Sequence, residues 1–104
     1  MTPDSPVARR QVVILNVLGL HLRPADKFVR LANSFADTEV SVYFKGHQFN
    51  GKSLLELTML AAECGSELEI EAKGPSADEA VNALSQLISS HFDEPSDTRQ
   101  DLSS

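Results

Sequence analysis

Residues 67–73, Glu-Leu-Glu-Ile-Glu-Ala-Lys, alternate polar and apolar side chains without a break. Successive strand residues point to opposite faces, so Leu68, Ile70 and Ala72 need cover while Glu67, Glu69, Glu71 and Lys73 need water. A sheet built around this strand has one dry face and one wet face. Such a sheet is stable only if amphipathic helices cover its dry side, so the economical packing puts the helices on one side of the sheet.

The rest of the chain supplies both kinds of element. "QVVILNV" (11–17) is rich in Val, Ile and Leu ahead of Gly19, and predicts a largely buried strand. From Leu22 to Ala36, the residues Ala25, Phe28, Val29, Ala32, Phe35 and Ala36 recur at helical spacing, with Arg23, Lys27 and Arg30 forming a basic stripe on another face. "EVSVYFK" (39–45) alternates again, Gly46-His47 offers a turn, and "QFNG" returns as a short strand. "SLLELTMLAA" (53–62) predicts a helix opened by a Ser53/Glu56 capping box and stopped by Gly65. After Gly74-Pro75, a second capping-box spacing, Ser76/Glu79, opens a helix running to about His91. The order is βαββαβα, and the expected fold is α+β: an open-faced sandwich of a four-stranded antiparallel sheet with three helices on one face.

The expected domain spans residues 10–92. A Pro-rich segment (1–9) and an acidic one (93–104, "DEPSDTRQDLSS") flank it as flexible tails.

The longest apolar run, Val12 to Leu22, is broken by Asn16, Gly19 and His21 and falls short of the ~20 residues a membrane span needs. The Pro-bearing N-terminus lacks the apolar core of a secretory signal. The one cysteine, Cys64, cannot form an internal disulfide and suits a reducing compartment, so a cytoplasmic protein is expected, with no membrane insertion. Net charge is −6, which argues against nucleic acid as a partner, as does the lack of stacking aromatics on a strand. The imbalance is uneven: residues 1–52 hold seven Lys/Arg against four acids, and residues 53–104 hold two against eleven. No metal-ligand spacing links His21, His47, Cys64 and His91, and "GKS" (51–53) lacks the upstream glycine of an ATP-binding loop. No metal and no cofactor are expected.

The basic half contains "GLHLRPADKF" (19–28), in which His21 falls at or just before the start of a helix. Unpaired backbone N–H groups there favour an anion and disfavour a cationic imidazole, leaving a neutral nitrogen able to act as nucleophile. Arg23 would offer forked donors to a phosphoryl group held on that nitrogen. Pro24 fits the first turn, where no donor is needed. The same residues are compatible with a plainer role, a histidine cap beside a solvated arginine.

Beyond this physical reading, "GLHLRPADKFVRLANSF" resembles the active-site segment of the histidine-containing phosphocarrier family, HPr. "GKSLLELTML" resembles that family's helix around a regulatory serine, and "EIEAKGPSADEAVNAL" its closing strand and helix. The resemblance implies a small phosphocarrier of the phosphoenolpyruvate-dependent phosphotransferase system, a relay rather than a stand-alone enzyme. His21 would accept a phosphoryl group on Nδ1 from phosphorylated Enzyme I and pass it to a histidine of an EIIA-type acceptor, with Arg23 steadying the phosphohistidine. It also implies Ser53 as a site for an HPr kinase/phosphorylase, although the capping box alone explains a serine there. Leu22 stands where the family commonly has a small residue or Thr. "NVLGLH" and "LISSHFDE" look closer to the nitrogen-regulatory branch, NPr, whereas "GKSLLEL" resembles members with a kinase-recognised serine. The alternative to a sugar-transport relay is therefore a regulatory protein signalling through phosphorylation-dependent binding.

The family fold places Leu22, Leu54, Leu55 and Thr58 near His21, and the second helix is apolar over more than one stripe. These residues, with Lys27, are the expected partner-docking surface, ringed by Arg23, Lys45 and Lys52; core packing is the competing reading for Leu54 and Leu55. The protein is expected to act as a monomer.

Overall fold

The structure, a computed structural model, describes residues 6–15, 19–20, 22–90 and 92. Its elements run β1 (Val7–Val13), α1 (Leu22–Asn33), β2 (Glu39–Phe44), β3 (His47–Asn50), α2 (Leu54–Leu60), β4 (Glu67–Lys73) and α3 (Ala77–Ser89). The sheet is antiparallel in the order β1-β4-β2-β3, with the three helices on one face, as the alternation in residues 67–73 requires.

Leu68, Ile70 and Ala72 of β4 and Val40 and Val42 of β2 are buried in one core with Ala25, Phe28 and Ala32 of α1, Leu57 and Leu60 of α2, and Ala80, Val81, Leu84 and Ile88 of α3. Each helix contributes residues three or four apart, the stripe that a 3.6-residue period puts on one side.

The first strand departs from expectation at both ends. It starts at Val7, so Val7–Arg9, expected in the tail, pair with Lys73, Ala72 and Glu71 of β4. It ends at Val13, and it is mostly exposed rather than buried, because β1 is an edge strand with one neighbour. The residue composition is that of a buried strand; position in the sheet decides otherwise. Asn16 and Val17, the end of the predicted strand, lie outside the described residues with Leu18, as do residues 1–5 and 93–104 of the predicted tails.

The β2–β3 turn is Lys45-Gly46 rather than Gly46-His47. Both residues have positive φ, 51° and 82°, as a tight hairpin requires, and His47 begins β3 as an exposed strand residue. Ser53 caps α2 by accepting from the Glu56 backbone N–H (3.2 Å), but Glu56 reaches past Ser53 to the Asn50 N–H (2.8 Å), so the box is not reciprocal. Helix α2 stops at Ala61 in the left-handed conformation, four residues before Gly65. The Ser76 side chain makes no cap bond on α3; Thr38 Oγ1 accepts from the Ser76 N–H instead (3.0 Å). The sequence spacing of a box permits these bonds without enforcing them, since a nearer partner from another element can intervene.

On the wet face, Glu71 is only 7% exposed. Arg9, its cross-strand neighbour, donates to Glu71 Oε2 through Nε (2.8 Å), and Tyr43 Oη donates to Oε1 (3.3 Å). Those two side chains fold over the carboxylate. Burial and the Glu71 charge together push the Tyr43 phenol above its ordinary range.

Candidate functional site

Two loops meet at one end of the molecule, and the start of α1 emerges from their junction. Ile14 N–H donates to Ser66 O (2.9 Å), Gly65 N–H to Ile14 O (2.8 Å) and Leu20 N–H to Ala62 O (2.7 Å), so the β1–α1 loop is tied along the α2–β4 loop. Gly19 has φ +73° and lies against the Ala62 carbonyl oxygen and the Glu63 backbone, where a Cβ would collide with both. Leu20 is buried in the core. The chain therefore enters α1 from a fixed point.

His21 follows Leu20 and immediately precedes Leu22, the first residue of α1; His21 itself lies outside the described residues. Leu22 is 61% exposed, Arg23 is exposed one position further on, and Pro24 is buried. Pro24 occupies the first turn of α1, as its missing N–H allows.

The second helix runs antiparallel to α1. At its start, Asn33 Nδ2 donates to Lys52 O (3.2 Å) and Lys52 Nζ donates to Phe35 O (2.7 Å), joining the end of α1 to the start of α2. At its end, the bond from Leu20 to Ala62 joins the start of α1 to the end of α2. The exposed side chains Leu55 (70%) and Met59 (68%) thus lie on the helix that ends beside Leu22. Ser53 sits at the opposite end of α2, about 10 Å away along the axis of a seven-residue helix.

The expected docking residues divide. Leu22 and Leu55 are exposed; Leu54 packs partly against the core, and Thr58 is half-buried with its hydroxyl donating to Leu55 O (2.8 Å). Met59 is an exposed apolar residue that periodicity missed; its i+4 spacing from Leu55 was the available signal. The expected basic ring is largely engaged within the chain. Lys27 Nζ donates to Phe92 O (2.8 Å), Lys52 Nζ to Phe35 O, and Lys45 stands over the Phe44 ring, 5.1 Å from its centre; Arg30, of the basic stripe on α1, pairs with Asp26 (2.8 Å).

Among the described residues, no three His, Cys, Asp or Glu side chains are grouped to hold a metal ion, and no helix is long and apolar enough to cross a membrane.

A family of sequences described as "PTS HPr component phosphorylation site" matches residues 8–90. The phosphocarrier protein HPr of Neisseria meningitidis is 41% identical over 86 residues, 83% of this chain and 96% of that protein. The phosphocarrier protein NPr of Proteus mirabilis is 40% identical over 85 residues, 82% of this chain and 94% of its own. Among solved structures, HPr-C-His from Thermoanaerobacter tengcongensis superimposes with a TM-score of 0.80 at 33% identity, covering 85% of this chain and 98% of the other.

Proposed function

The chain belongs to the HPr family of phosphocarrier proteins of the phosphotransferase system, and on that premise we propose that His21 carries the phosphoryl group. The observation that supports this is the seven-residue segment Gly19-Leu20-His21-Leu22-Arg23-Pro24-Ala25, which falls inside the family match and runs into the first turn of α1.

In this reading, neutral His21 Nδ1 attacks the phosphorus held by phosphorylated Enzyme I. The new N–P bond forms as the donor's bond to phosphorus breaks, and the donor keeps that electron pair. Transfer to an EIIA-type histidine repeats the step with His21 as leaving group. Arg23, exposed on the first turn, steadies the phosphoryl oxygens through its guanidinium, and the helix start favours the added negative charge. Leu22, Leu55 and Met59, with Lys27 and Thr58 at the margin and Leu54 packed partly against the core, form the docking surface for both partners. The protein works as a cytoplasmic monomer and needs no cofactor.

The test is incubation with phosphoenolpyruvate and Enzyme I. Wild-type chain should gain one acid-labile phosphate, and His21→Ala should gain none. Labelling of His21→Ala at the wild-type level would overturn the assignment.

A second reading rests on the likeness to an NPr, 40% identical, beside that to an HPr, 41% identical. The phosphorylated and unphosphorylated forms would bind different regulatory targets instead of feeding sugar transport, with Ser53 available to an HPr kinase/phosphorylase. Presenting the phosphorylated chain with sugar-type and nitrogen-type EIIA acceptors separates the two by which one drains the label.

A further inference from the structure

Residues directly opposite one another on neighbouring strands share a face, so the strand register assigns the side chains of the outer face of the sheet, away from the helices. One row across it holds Arg9, Glu71 and Ser41, and the next holds Gln11, Glu69 and Tyr43. At one end Glu67 stands opposite Val13; at the other Lys73 stands opposite Glu39.

Two of the four glutamates on this face have a cation of their own. Arg9 donates to Glu71, and Lys73 is the cross-strand neighbour of Glu39. Glu67 and Glu69 have none: neither side chain makes a hydrogen bond or ion pair among the described residues, and Arg9, diagonal to Glu69, is already held by Glu71. Strand residues two apart point the same way and stand about 7 Å apart. Glu67 and Glu69 are therefore two like charges fixed side by side on β4, an interior strand that cannot turn them apart. A cation over each relieves their repulsion. An extended segment with lysine or arginine at alternate positions carries cations at the same spacing, because its own side chains repeat with the same period. Val13, 41% exposed beside Glu67, and Tyr43, half-buried beside Glu69, offer apolar surface to the stems of such side chains, and an aromatic ring attracts a cation over its face.

We propose that this face is a second docking surface, for an extended basic segment of a partner protein that lies along β4 with lysine or arginine at alternate positions over Glu67 and Glu69. The proposal is independent of the phosphocarrier reading. The helices lie on the other side of the sheet, so a partner seated here leaves the surface around Leu22, Leu55 and Met59 open. Binding is electrostatic in origin and weakens with salt.

The probe is a capped peptide, Thr-Lys-Thr-Lys-Thr, compared with its isomer Thr-Lys-Lys-Thr-Thr, which has the same charge at the wrong spacing. Tyr43 is the single tyrosine of a chain without tryptophan, so its fluorescence reports this face. At roughly 20 mM salt the alternating peptide should bind about fivefold or more tighter than the isomer, with NMR amide shifts confined to β4 and its neighbours β1 and β2. The pair Glu67→Gln and Glu69→Gln should remove that preference, whereas Asp78→Asn with Glu79→Gln, which takes the same charge from exposed positions on α3, should keep it. Equal affinity for the two peptides overturns the proposal, as does equal weakening by the two double variants, since either would mean attraction to net charge alone. Shifts centred away from β4 also overturn it. A thermal melt checks that each variant is folded; should the Glu67/Glu69 variant fail to fold, the wild-type comparison of the two peptides still decides.

Discussion

Gly19 and Ala62 are locked back to back: the Gly19 backbone, at φ +73°, lies against the Ala62 carbonyl oxygen that also accepts the Leu20 N–H. This contact sets where the chain enters α1, and it leaves no room for a side chain. Gly19→Ala combines an unfavourable positive φ with a collision against backbone, and should destabilise the fold by about 2 kcal/mol or more. Urea denaturation measures it. A change under about 0.5 kcal/mol would show that the loop can relax away from α2.

Glu71 and Tyr43 offer a spectroscopic check on the wet face of the sheet. Tyr43 is the chain's single tyrosine and there is no tryptophan, so tyrosinate absorbance reports one group. Its phenol should titrate above the ordinary value near 10, first because burial disfavours the anion and then because Glu71 repels it and accepts its hydrogen bond. Glu71→Gln removes the charge and should bring the midpoint down toward, though not fully to, the ordinary value. The sign for stability follows. The folded state holds the phenolic proton more tightly than the unfolded chain does, so Tyr43 stabilises the fold below pH 10 and the benefit is lost as pH rises through the raised folded value.

Ser53 separates a structural role from a regulatory one. Ser53→Ala removes the acceptor for the Glu56 N–H and should cost about 1 kcal/mol, whereas Ser53→Asp keeps a capping oxygen and should leave stability nearly unchanged. If Ser53 is also a control point, Ser53→Asp slows phosphorylation of His21 by adding negative charge to a helix leading to the docking surface. Equal phosphorylation rates for Ser53→Asp and wild type would leave Ser53 as a cap alone.

The faces of α2 predict opposite outcomes for neighbouring leucines. Leu55→Lys changes a side chain that is 70% exposed, so the protein should stay folded and transfer phosphate poorly; Met59→Lys should behave alike. Leu57→Ala empties a fully buried site and should cost about 2–5 kcal/mol. Leu54→Lys should lower the melting temperature, because Leu54 packs against the core. Thermal melts alongside a transfer assay distinguish the two classes. A Leu55→Lys protein that transfers phosphate at the wild-type rate would remove Leu55 from the docking surface.

The strict alternation of residues 67–73 and the helical spacing of Ala25, Phe28, Val29 and Ala32 determined the layers, the element order and the entry of α1 at Leu22, because period and burial are properties a linear pattern carries directly. The segment around His21 was equally plain, since its residues are consecutive. What the sequence left undecided were facts about neighbours. Whether a Val-rich strand is covered depended on β1 falling at the sheet edge, and whether Glu71 meets water depended on Arg9, 62 residues away, and Tyr43 closing over it. Whether Lys27 faces a partner or holds Phe92 depended on a carbonyl 65 residues along the chain. Long-range partners are chosen by packing, and packing exists only in three dimensions.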